Sequence, residues 1–470
     1  MSAKEKQTVE DLDPVFAKYG KPFLEIGKGK VSLNERAVAV KCATDHLVKY
    51  NPTTKTYERF DARLGLWMTV HEVEVFRLLD DLLLKLGTEY KKEEFVRTCK
   101  ASQLKSLSRM LQPYQAPIDV GETKGLVHVS NGVLELRGAT PKLLKHDPKF
   151  GFRVSSGINY DAKAKCPQFL GQLLEPALEK ADITLVQKYC GSMLLGENTC
   201  HGILVIRGTP GGGKSTLVSV IEKVIGETNV AHLLTKHLTG RFETSAFIGK
   251  RLLVGKDVPG DMLSEKGARM LKSLVGGDLL QAEIKYNPTK QTIRGNYHVI
   301  IASNNRLKIA LDGDEAAWGR RLLVVDFDKQ KPTKAIPNFA DKLFREEAPG
   351  ILNWLVQGAL DYRSEMKKGG KLALDEVQQR RVNSLLQDSD SVQAFVDERL
   401  AKKDGEDVSS EELLLGYYGM CKKRKWRPVG RHAFQLRMPD ILLEKFGMCR
   451  RNDIQRKEGA VRGFKNLACS

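Results

Sequence analysis

The chain lacks long apolar runs, and this absence excludes an integral membrane protein. No uninterrupted apolar stretch approaches the roughly 20 residues that a membrane-spanning helix needs. The first residues, MSAKEKQTVEDLDP, contain no apolar segment, so we expect neither a secretory signal peptide nor a membrane partner. Apolar residues make up 41% of the chain and charged residues 29%, which is typical of an ordinary soluble protein.

Closely spaced cysteine pairs are also missing. The eight cysteines are scattered without any C-x-x-C pair, at Cys42, Cys99, Cys166, Cys190, Cys200, Cys421, Cys449 and Cys469. This spacing argues against a zinc ribbon or a disulfide framework, and it favours a reducing, cytoplasmic compartment.

Acidic residues are in deficit. The 76 lysines and arginines exceed the 58 aspartates and glutamates, which gives a formal charge of +18. More than half of the excess lies in residues 421–470, where 14 basic residues face 4 acidic ones. Such a charge indicates a polyanionic partner. A solvated basic tail is the alternative, although the same segment has the pattern of a folded domain, as described below.

The most specific motif is a glycine-rich loop between an apolar run, residues 203–206, and a helical pattern that ends at Gly226. The pattern G-x-x-x-x-G-K-[ST] is matched by Gly208, Thr209, Pro210, Gly211, Gly212, Gly213, Lys214, Ser215 and Thr216. Glycines let consecutive backbone N–H groups surround phosphate oxygens at a helix N-terminus. We therefore predict a P-loop for ATP, with Lys214 reaching the β- and γ-phosphates and Ser215 holding Mg²⁺.

Two further apolar runs end in polar side chains. The run 249–257 ends at Asp257, which we expect to orient Mg²⁺ or to polarise the attacking water. The run 299–305 ends in Asn304 and Asn305, and an amide there can hydrogen-bond the attacking water or the γ-phosphate. No second carboxylate adjoins Asp257, so the catalytic base stays open between Asp257 and Asp261.

A pair of arginines precedes the next apolar run. Arg320 and Arg321 lie immediately before residues 322–327. A guanidinium here can act as an arginine finger, which neutralises charge on a phosphoryl group and in ring ATPases usually comes from the neighbouring subunit. The sequence does not distinguish the finger from a structural partner.

The order of these motifs, all between Gly208 and Arg321, resembles the superfamily 3 helicases. Over roughly residues 125–470 the chain is similar to the phage/plasmid and poxvirus-type primase-helicase family, on the segments 130–134, 160–170, 272–278 and 350–354. The resemblance implies a homo-oligomeric ring, a hexamer, that travels 3′ to 5′ on one DNA strand. It also implies the cytoplasm of a bacterial host, or an equivalent replication compartment, and a separate primase or initiator as a candidate partner.

Residues 282–294 alternate around Asn287 and Pro288, which predicts a β-hairpin. The resemblance implies that this hairpin projects into the channel of the ring and grips single-stranded DNA. Lys285 and Lys290 are the candidate phosphate contacts, and Tyr286 is the candidate for stacking on a base. A solvated surface hairpin is the alternative.

The last eighty or so residues predict a winged-helix domain. Residues 409–412 are typical of an N-cap, and a second helix runs from Ala433 to Phe446, where Pro439 should kink or split it. Residues 450–464 predict a hairpin, the wing. The candidate DNA contacts of this domain are Arg437, Arg451, Arg456 and Lys457, with a protein contact as the alternative.

Residues 1–110 carry the least information. An apolar helix face is predicted by the spacing of Val73, Phe76, Leu79, Leu83 and Leu86. Residues 11–13 have the D-x-D spacing of polymerase metal sites, but too little chain surrounds them for such a domain. A small collar or partner-docking domain is the preferred interpretation.

The sequence therefore predicts an α/β protein with an AAA+ P-loop ATPase core, a small N-terminal α+β domain and a C-terminal winged helix. The expected segments are an N-terminal domain (1–110), a pre-ATPase segment (111–185), the ATPase core (186–330), a helical extension and linker (331–385) and the winged helix (386–470). The predicted function is an ATP-dependent replicative DNA helicase of a mobile element or virus, acting on single-stranded and forked DNA. Two alternatives stay open: a translocase that does not unwind, and an origin-binding initiator whose ATPase only governs assembly.

Overall fold

The structure is a computed structural model of the chain. It describes residues 13–27, 29–52, 54–113, 123–233, 238, 240, 242–258, 265–285, 290–304, 307–309, 311, 314–329, 336–424, 428–457 and 459–469. Internal packing divides the chain into two compact units, Met1–Asp161 and Ala162–Ser470. Within the described residues, no helix combines the length and the apolar character that crossing a membrane requires.

The first unit mixes short helices with small antiparallel sheets. Its helices are α1 (Pro14–Tyr19), α2 (Glu35–Asp45), α3 (Glu72–Glu89), α4 (Glu93–Arg97) and α5 (Ala101–Leu111). Its sheets pair β1 (Phe23–Glu25) with β2 (Val31–Leu33), then β3 (Val48–Asn51) with β4 (Thr56–Asp61) and β5 (Leu66–Val70), then β6 (Leu126–Val129) with β7 (Gly132–Glu135) and β8 (Lys142–Leu144).

The helix predicted from residue 73 onward is α3, but its buried face begins later than predicted. Val73 is 59% exposed, because it lies in the first turn on the solvent side of the helix. The buried positions that join the core of this unit are Val75, Leu79, Leu82, Leu83 and Leu86. The periodicity was therefore predicted correctly and its starting residue was wrong.

The second unit is built on a five-stranded parallel sheet. The strands of this sheet and of a separate hairpin are, in chain order, β9 (Ile203–Gly208), β10 (Val230–His232), β11 (Leu252–Gly255), β12 (Leu279–Ala282), β13 (Gln291–Arg294), β14 (His298–Ser303) and β15 (Leu322–Phe327). Strands β12 and β13 form a separate antiparallel hairpin, and the others lie in the order β10-β11-β14-β9-β15, each parallel to its neighbours. The prediction of an α/β protein is confirmed at this level.

Helices accompany this sheet. Its strands contain continuous apolar runs, which suit strands that are buried on both faces. The helices are α6 (Lys180–Ser192), α7 (Lys214–Ile225), α8 (Glu265–Val275), α9 (Glu315–Gly319), α10 (Phe339–Gly369) and α11 (Glu376–Ser389). Shorter helical turns of this unit occupy Phe169–Leu174, Met193–Leu195, Glu227–Asn229 and Glu243–Phe247, and the first unit has one at Pro148–Phe150. The main core of the unit lies between the sheet and the helices α8, α9 and α11.

Residues after α11 form three helices and two small sheets. The elements are α12 (Ser391–Arg399), β16 (Leu400–Lys402), β17 (Val408–Ser409), α13 (Ser410–Lys423), α14 (Arg431–Phe446), β18 (Arg451–Arg456), β19 (Gly459–Phe464) and β20 (Leu467–Cys469). Strand β19 pairs antiparallel with β17 and β18, and β16 pairs with β20. The predicted hairpin at residues 450–464 is confirmed as β18 and β19.

The predicted helix start at residues 409–412 is also confirmed. The Ser409 hydroxyl oxygen accepts from the Glu412 backbone N–H at 3.1 Å, and a Glu412 carboxylate oxygen accepts from the Ser409 backbone N–H at 2.7 Å. This reciprocal pair satisfies two N–H groups that the helix itself leaves unpaired.

The sequence predicts that Pro439 kinks or splits the second helix. The split is wrong, because α14 runs through Pro439 as one helix. Pro439 removes one backbone donor from the interior. The buried side chains on both sides of it, Phe434, Met438, Ile441 and Leu442, pack into the same core. This shared packing holds the two halves together, because tertiary burial outweighs a local preference.

Candidate nucleotide-binding site

The carboxyl edge of the parallel sheet collects the polar residues that end the apolar runs. Strand β9 ends at Gly208, β11 is followed by Asp257, and β14 is followed by Asn304. Because β14 lies between β9 and β11, these three strand ends are neighbours. In open parallel sheets, ligands bind at this edge where the order of strands reverses. The strand order therefore forms one site from three distant parts of the sequence.

The loop between β9 and α7 depends on its glycines. Gly208 has a φ of 143° and Gly213 a φ of 95°, a backbone region that other residues rarely adopt. A Cβ atom at Gly208 would lie 2.3 Å from the carbonyl oxygen of Phe327, and one at Gly212 would lie 3.1 Å from the same oxygen. The loop thus passes close to β15, and its turn leads directly into the first turn of α7.

Lys214 is folded into this loop. Its Nζ donates to the carbonyl oxygens of Gly208 and Thr209, at 2.8 Å each. The side chain is buried, and this burial lowers the pKa of Lys214, while the negative charge of Asp257 acts in the opposite direction. A cation therefore lies inside the glycine loop, on the side toward Asp257.

These features fit a bound triphosphate. Thr209, Pro210 and Gly211 are exposed at the loop tip, Ser215 is exposed at the start of α7, and Thr216 is part-buried. Glycine N–H groups, a helix N-terminus and a lysine are the three donors that phosphate sites in such loops use. The loop itself carries no carboxylate that would repel an anion.

Ser215 and Asp257 are the candidates for holding Mg²⁺. In the described part of the chain, no three His, Cys, Asp or Glu side chains come close enough together to form a metal site of their own. This is compatible with Mg²⁺, which is usually held by one or two protein ligands together with water and substrate phosphates.

Asp257 and Asn304 are joined directly. The Asn304 Nδ2 donates to the Asp257 Oδ1 at 3.1 Å, and both side chains are exposed at the sheet edge. Asp257 has a φ of 49°, an unusual conformation for a residue other than glycine, of the kind that clusters at functional sites. The turn is fixed to β14 because the Ser303 hydroxyl donates to the Val258 carbonyl oxygen at 2.8 Å. Asp261 lies outside the described residues.

Two residues that the sequence did not reveal hold the other side of this turn. The Lys256 Nζ donates to a Glu222 carboxylate oxygen at 2.6 Å and to the Ser219 hydroxyl at 3.2 Å. Glu222 is only 7% exposed, and its second oxygen has no hydrogen-bond partner among the described residues. The P-loop helix is thereby tied to the strand that precedes Asp257. The sequence signal that could have revealed this contact is a glutamate, Glu222, among the apolar positions of α7.

Arg320 and Arg321 lie at the opposite edge of the same sheet. Strand β15 pairs with β9 from Leu322 opposite Ile203 to Phe327 opposite Gly208. The arginines come just before Leu322, the first residue of β15. The P-loop begins at Gly208, which is paired with Phe327, the last residue of β15. At about 3.3 Å per residue, five residues of strand separate them by about 17 Å or more. Neither arginine can reach the P-loop of its own chain.

The two arginines also differ from each other. Arg320 is exposed, whereas Arg321 is 8% exposed and its Nη1 donates to the carbonyl oxygen of Ala317 at 2.8 Å. Burial, together with the neighbouring charge of Arg320, lowers the pKa of Arg321. Of the pair, only Arg320 is exposed to solvent.

The predicted β-hairpin is present as β12 and β13, paired from Leu279 opposite Arg294 to Ala282 opposite Gln291, and its place in a channel stays a prediction. Lys285 and Lys290 are exposed toward its tip, and the Lys290 Nζ lies 2.8 Å from a Glu283 carboxylate oxygen. Tyr286 and the rest of residues 286–289 lie outside the described part of the chain. The stacking role of Tyr286 stays a prediction.

A cleft of about 740 Å³ separates α14 from the β18–β19 hairpin. Its floor is largely apolar, and its basic lining residues are Arg431, Arg450, Arg456, Lys457 and Arg462. Of these, Arg450, Lys457 and Arg462 are exposed and make no ion pair within the described residues. Arg450 and Arg462 were not singled out from the sequence, because nothing in a local pattern says which cations border a cleft.

Three of the predicted DNA contacts are already bonded to carboxylates. Arg451 donates twice to Asp453 at 2.8 Å, and the Arg456 Nη2 donates to Glu412 at 2.6 Å. The bond from Arg456 is the main reason why the pKa of Glu412 falls to about 2. Arg437 is bonded to Glu315 and Asp390, away from the cleft. A DNA contact through any of these arginines would require a change of partner.

Comparisons with known proteins bear on two parts of the chain. Residues 206–321 match the model of a Family of unknown function (DUF5906), a span that contains the P-loop, Asp257, Asn304 and both arginines. Residues 37–177 match the model described as D5 N terminal like. The search among curated proteins found no match.

Two solved structures of the NrS-1 C-terminal region are similar to the chain at low identity. The A form apo structure has 12% sequence identity and a TM-score of 0.47, and the match covers 91% of this chain and 98% of that one. A second apo structure has 13% identity and a TM-score of 0.45, with coverage of 89% and 95%. The D5 N-terminal-like match supports a relationship between this chain and the phage primase-helicase type of replication protein.

Proposed function

We propose that the chain is an ATP-driven replicative DNA helicase that works as a ring of identical subunits. The observation that carries the proposal is the position of the P-loop and of Arg320 at opposite edges of one sheet. One subunit offers a phosphate site without a finger, and its exposed arginine is available to another subunit. A closed ring of head-to-tail contacts satisfies both ends.

The first role belongs to the glycine loop. Its backbone N–H groups and Lys214 would bind the β- and γ-phosphates of ATP. Lys214 would exchange the carbonyl oxygens of Gly208 and Thr209 for charged phosphate oxygens, which are stronger acceptors. When bound at Ser215 and Asp257, Mg²⁺ would supply charge neutralisation for the phosphates.

Asp257 and Asn304 would then handle the attacking water. Asn304 donates to one oxygen of Asp257 and leaves the other oxygen able to accept a proton. Holding the carboxylate in one orientation favours proton transfer, because a general base must lie within hydrogen-bond reach of the proton that it takes. Arg320 from the adjacent subunit would neutralise the charge that develops on the transferred phosphoryl group.

Work on DNA would come from two other elements. The β12–β13 hairpin, with Lys285 and Lys290 near its tip, would contact the phosphates of a single strand in the channel. The region 386–470 would be a winged helix, with α14 and the β18–β19 hairpin on either side of the basic cleft. Arg450, Lys457 and Arg462 make no ion pair within the described residues, so they are our first candidates for duplex phosphates.

These assignments correspond to a superfamily 3, AAA+ core over residues 186–330. The five-stranded parallel sheet, with the P-loop directly after β9 and β9 between β14 and β15, supports this assignment. The D5 N-terminal-like match of residues 37–177 supports a replication role for the chain as a whole.

The deciding experiment is unwinding of a forked duplex by the full chain with ATP and Mg²⁺, with the Lys214→Ala variant as control. Electron microscopy of particles with and without ATP and DNA gives the ring symmetry in parallel. We expect ATP-dependent strand separation by ring particles. Tight binding to a defined duplex site with an intact fork would favour the initiator. ATP-dependent movement along a single strand without unwinding would favour the translocase.

The hairpin assignment has its own test within that assay. Replacing both Lys285 and Lys290 by Ala should leave ATP hydrolysis in place and lower unwinding. Each lost phosphate contact should also remove about 0.7 from the log–log salt slope of single-strand binding. Unchanged unwinding with an unchanged slope would place the channel contacts elsewhere.

A further inference from the structure

The short helix α9, which leads directly to Arg320, is held by charged side chains from two directions. Lys272 of α8 forms a hydrogen-bonded ion pair with Asp314, the residue just before α9. Arg437 of α14 donates from its Nη2 to a carboxylate oxygen of Glu315 at 3.0 Å. Arg437 lies 122 residues further along the chain than Glu315, so this contact joins the C-terminal region to the ATPase sheet.

Arg437 reaches a second carboxylate at the same time. Its Nη2 donates to the Asp390 Oδ2 at 2.5 Å, and Asp390 is only 9% exposed. The other oxygen of Asp390 accepts from the backbone N–H groups of Val392 and Gln393, as the N-cap of α12. Arg437 therefore bridges the first turn of α9 and the start of α12 with a single guanidinium.

The far end of α9 is fixed independently. Trp318 is fully buried and packs in the main core with Val382 and Leu385 of α11. Arg321 is anchored by its hydrogen bond to Ala317. The helix that leads to Arg320 is therefore held by core packing at this end and by ion pairs at its first turn. Glu315 and Asp314 are the charged groups that hold it.

We propose that Arg437 is a positioning residue for Arg320, acting through Glu315. The inference rests on the proposed role of Arg320 as a finger, and it assigns Arg437 a task within the ATPase in place of the DNA contact predicted from the sequence. A finger that must meet a phosphoryl group in another subunit is sensitive to small displacements, because misplacement by about 1 Å can cost about 100-fold in rate. Releasing Glu315 therefore lowers turnover without removing any group from the nucleotide site.

The test compares variants of α14 and α9 in the full chain. Arg437→Ala and Glu315→Gln should each lower kcat by about 10-fold or more with little change in KM for ATP. The double variant should be no slower than either single variant, because both remove the same contact. Arg437→Lys, which keeps the charge, should recover part of the rate. The matched control is Lys445→Ala, because Lys445 lies on the same helix but pairs with Asp397 of α12, 2.6 Å away, and does not touch α9.

Duplex binding across a salt titration separates this proposal from the DNA role of Arg437. Loss of duplex affinity and of salt slope in Arg437→Ala, with normal kcat, would overturn the positioning role in favour of a phosphate or base contact. An equal loss of kcat in Arg437→Ala and Lys445→Ala would also overturn it, since general loosening of α14 would explain both.

A second measurement does not depend on the ATPase. Hydrogen–deuterium exchange over residues 314–321 should speed up in Arg437→Ala and remain at the wild-type rate in Lys445→Ala. Unchanged exchange in Arg437→Ala overturns the positioning role whatever the ATPase does. If the wild-type chain hydrolyses no ATP, the proposed function fails, while this exchange experiment still decides whether Arg437 holds α9.

Discussion

The carboxyl and amino edges of the parallel sheet carry different parts of the predicted ATPase, and the two edges are built differently. At the carboxyl edge, Lys214 is held by hydrogen bonds to loop carbonyl oxygens. Asp257 and Asn304 are held by a hydrogen bond to each other. At the amino edge, Arg321 is buried and Arg320 is exposed. The side chains at the carboxyl edge are therefore held by contacts within the chain, whereas Arg320 at the amino edge is exposed to solvent.

This difference follows from the parallel arrangement. All strands begin at one edge and end at the other, so residues before a strand and residues after it are separated by the length of the strand. The distance of about 17 Å along β15 is far longer than an arginine side chain. Our interpretation is that a complete site forms only between two subunits.

The largest expected effect tests the carboxyl edge. Lys214→Ala should reduce ATP hydrolysis to background, because it removes the cation from the phosphate loop. A matched control is Lys223→Ala on the same helix, whose Nζ pairs at the surface with Glu227 and Asp341. The measurement is steady-state phosphate release, with circular dichroism to check the fold. Wild-type turnover in the purified Lys214 variant would refute the P-loop assignment.

The next effect tests the amino edge. Arg320→Ala should keep nucleotide binding and lose about 10³-fold or more in turnover, if the finger acts as proposed. Arg321→Ala should instead lower the midpoint of thermal unfolding, because Arg321 is buried against the backbone.

Mixing subunits tests whether the two edges meet in trans. Arg320→Ala mixed with Lys214→Ala should regain part of the activity, since some interfaces then combine an intact loop with an intact arginine. Absence of rescue at every mixing ratio would contradict the trans arrangement and weaken the comparison between the edges.

A smaller effect concerns the tether of the carboxyl edge. Lys256→Met should lower the free energy of unfolding by about 1–3 kcal/mol, because it removes the hydrogen-bonded cation from the buried Glu222 carboxylate and leaves only the His232 ring nitrogen, 3.8 Å away. A double variant with Glu222→Leu should recover most of the loss, since replacing both members of a buried pair is often neutral. Chemical denaturation of the three proteins measures this. Equal stability of Lys256→Met and the wild type would show that the tether contributes little.

The smallest effect is a pH dependence at the amino edge. The hydrogen bond from Lys272 lowers the pKa of Asp314 below its ordinary value of 3.8. A lowered pKa in the folded state means that the pair stabilises the protein above pH 3.8 and that this contribution is lost as the pH falls through the folded-state pKa. Asp314→Asn should lower the unfolding midpoint at neutral pH by only about 1–2 °C, because the pair is partly exposed to solvent. The difference from the wild type should disappear at low pH, and a difference that is constant with pH would contradict this account.

The sequence predicted local elements well where the residues that form an element also carry its function. The strand, loop and helix around Gly208 follow from an apolar run, a glycine cluster and a helical repeat, and all three are confirmed. The start of α13 at Ser409 and the hairpin after it were predicted from capping and turn residues. Of the two outcomes predicted for Pro439, the split of the helix does not occur, because the buried side chains around it hold α14 together against the local preference.

Contacts between distant residues were not predictable. Lys256 meets Glu222 across 34 residues, and Arg437 meets Glu315 across 122. Both pairs join residues whose types are ordinary for a surface. A single sequence contains no local signal for such partners, so Arg437 was assigned to DNA from its charge and its place on the predicted second helix.

The sequence by itself determined which side chains are available for phosphate chemistry, because a glycine loop with a lysine and a serine has a recognisable spacing whatever surrounds it. Only the tertiary structure decided where these groups lie. The order β10-β11-β14-β9-β15 brings Asp257 and Asn304 beside the P-loop and leaves Arg320 at the opposite edge. Burial then distinguishes Arg321 from Arg320, and folding gives Arg437 its carboxylate partners. Strand order and burial are properties of the whole packed chain, and no local stretch of residues encodes them.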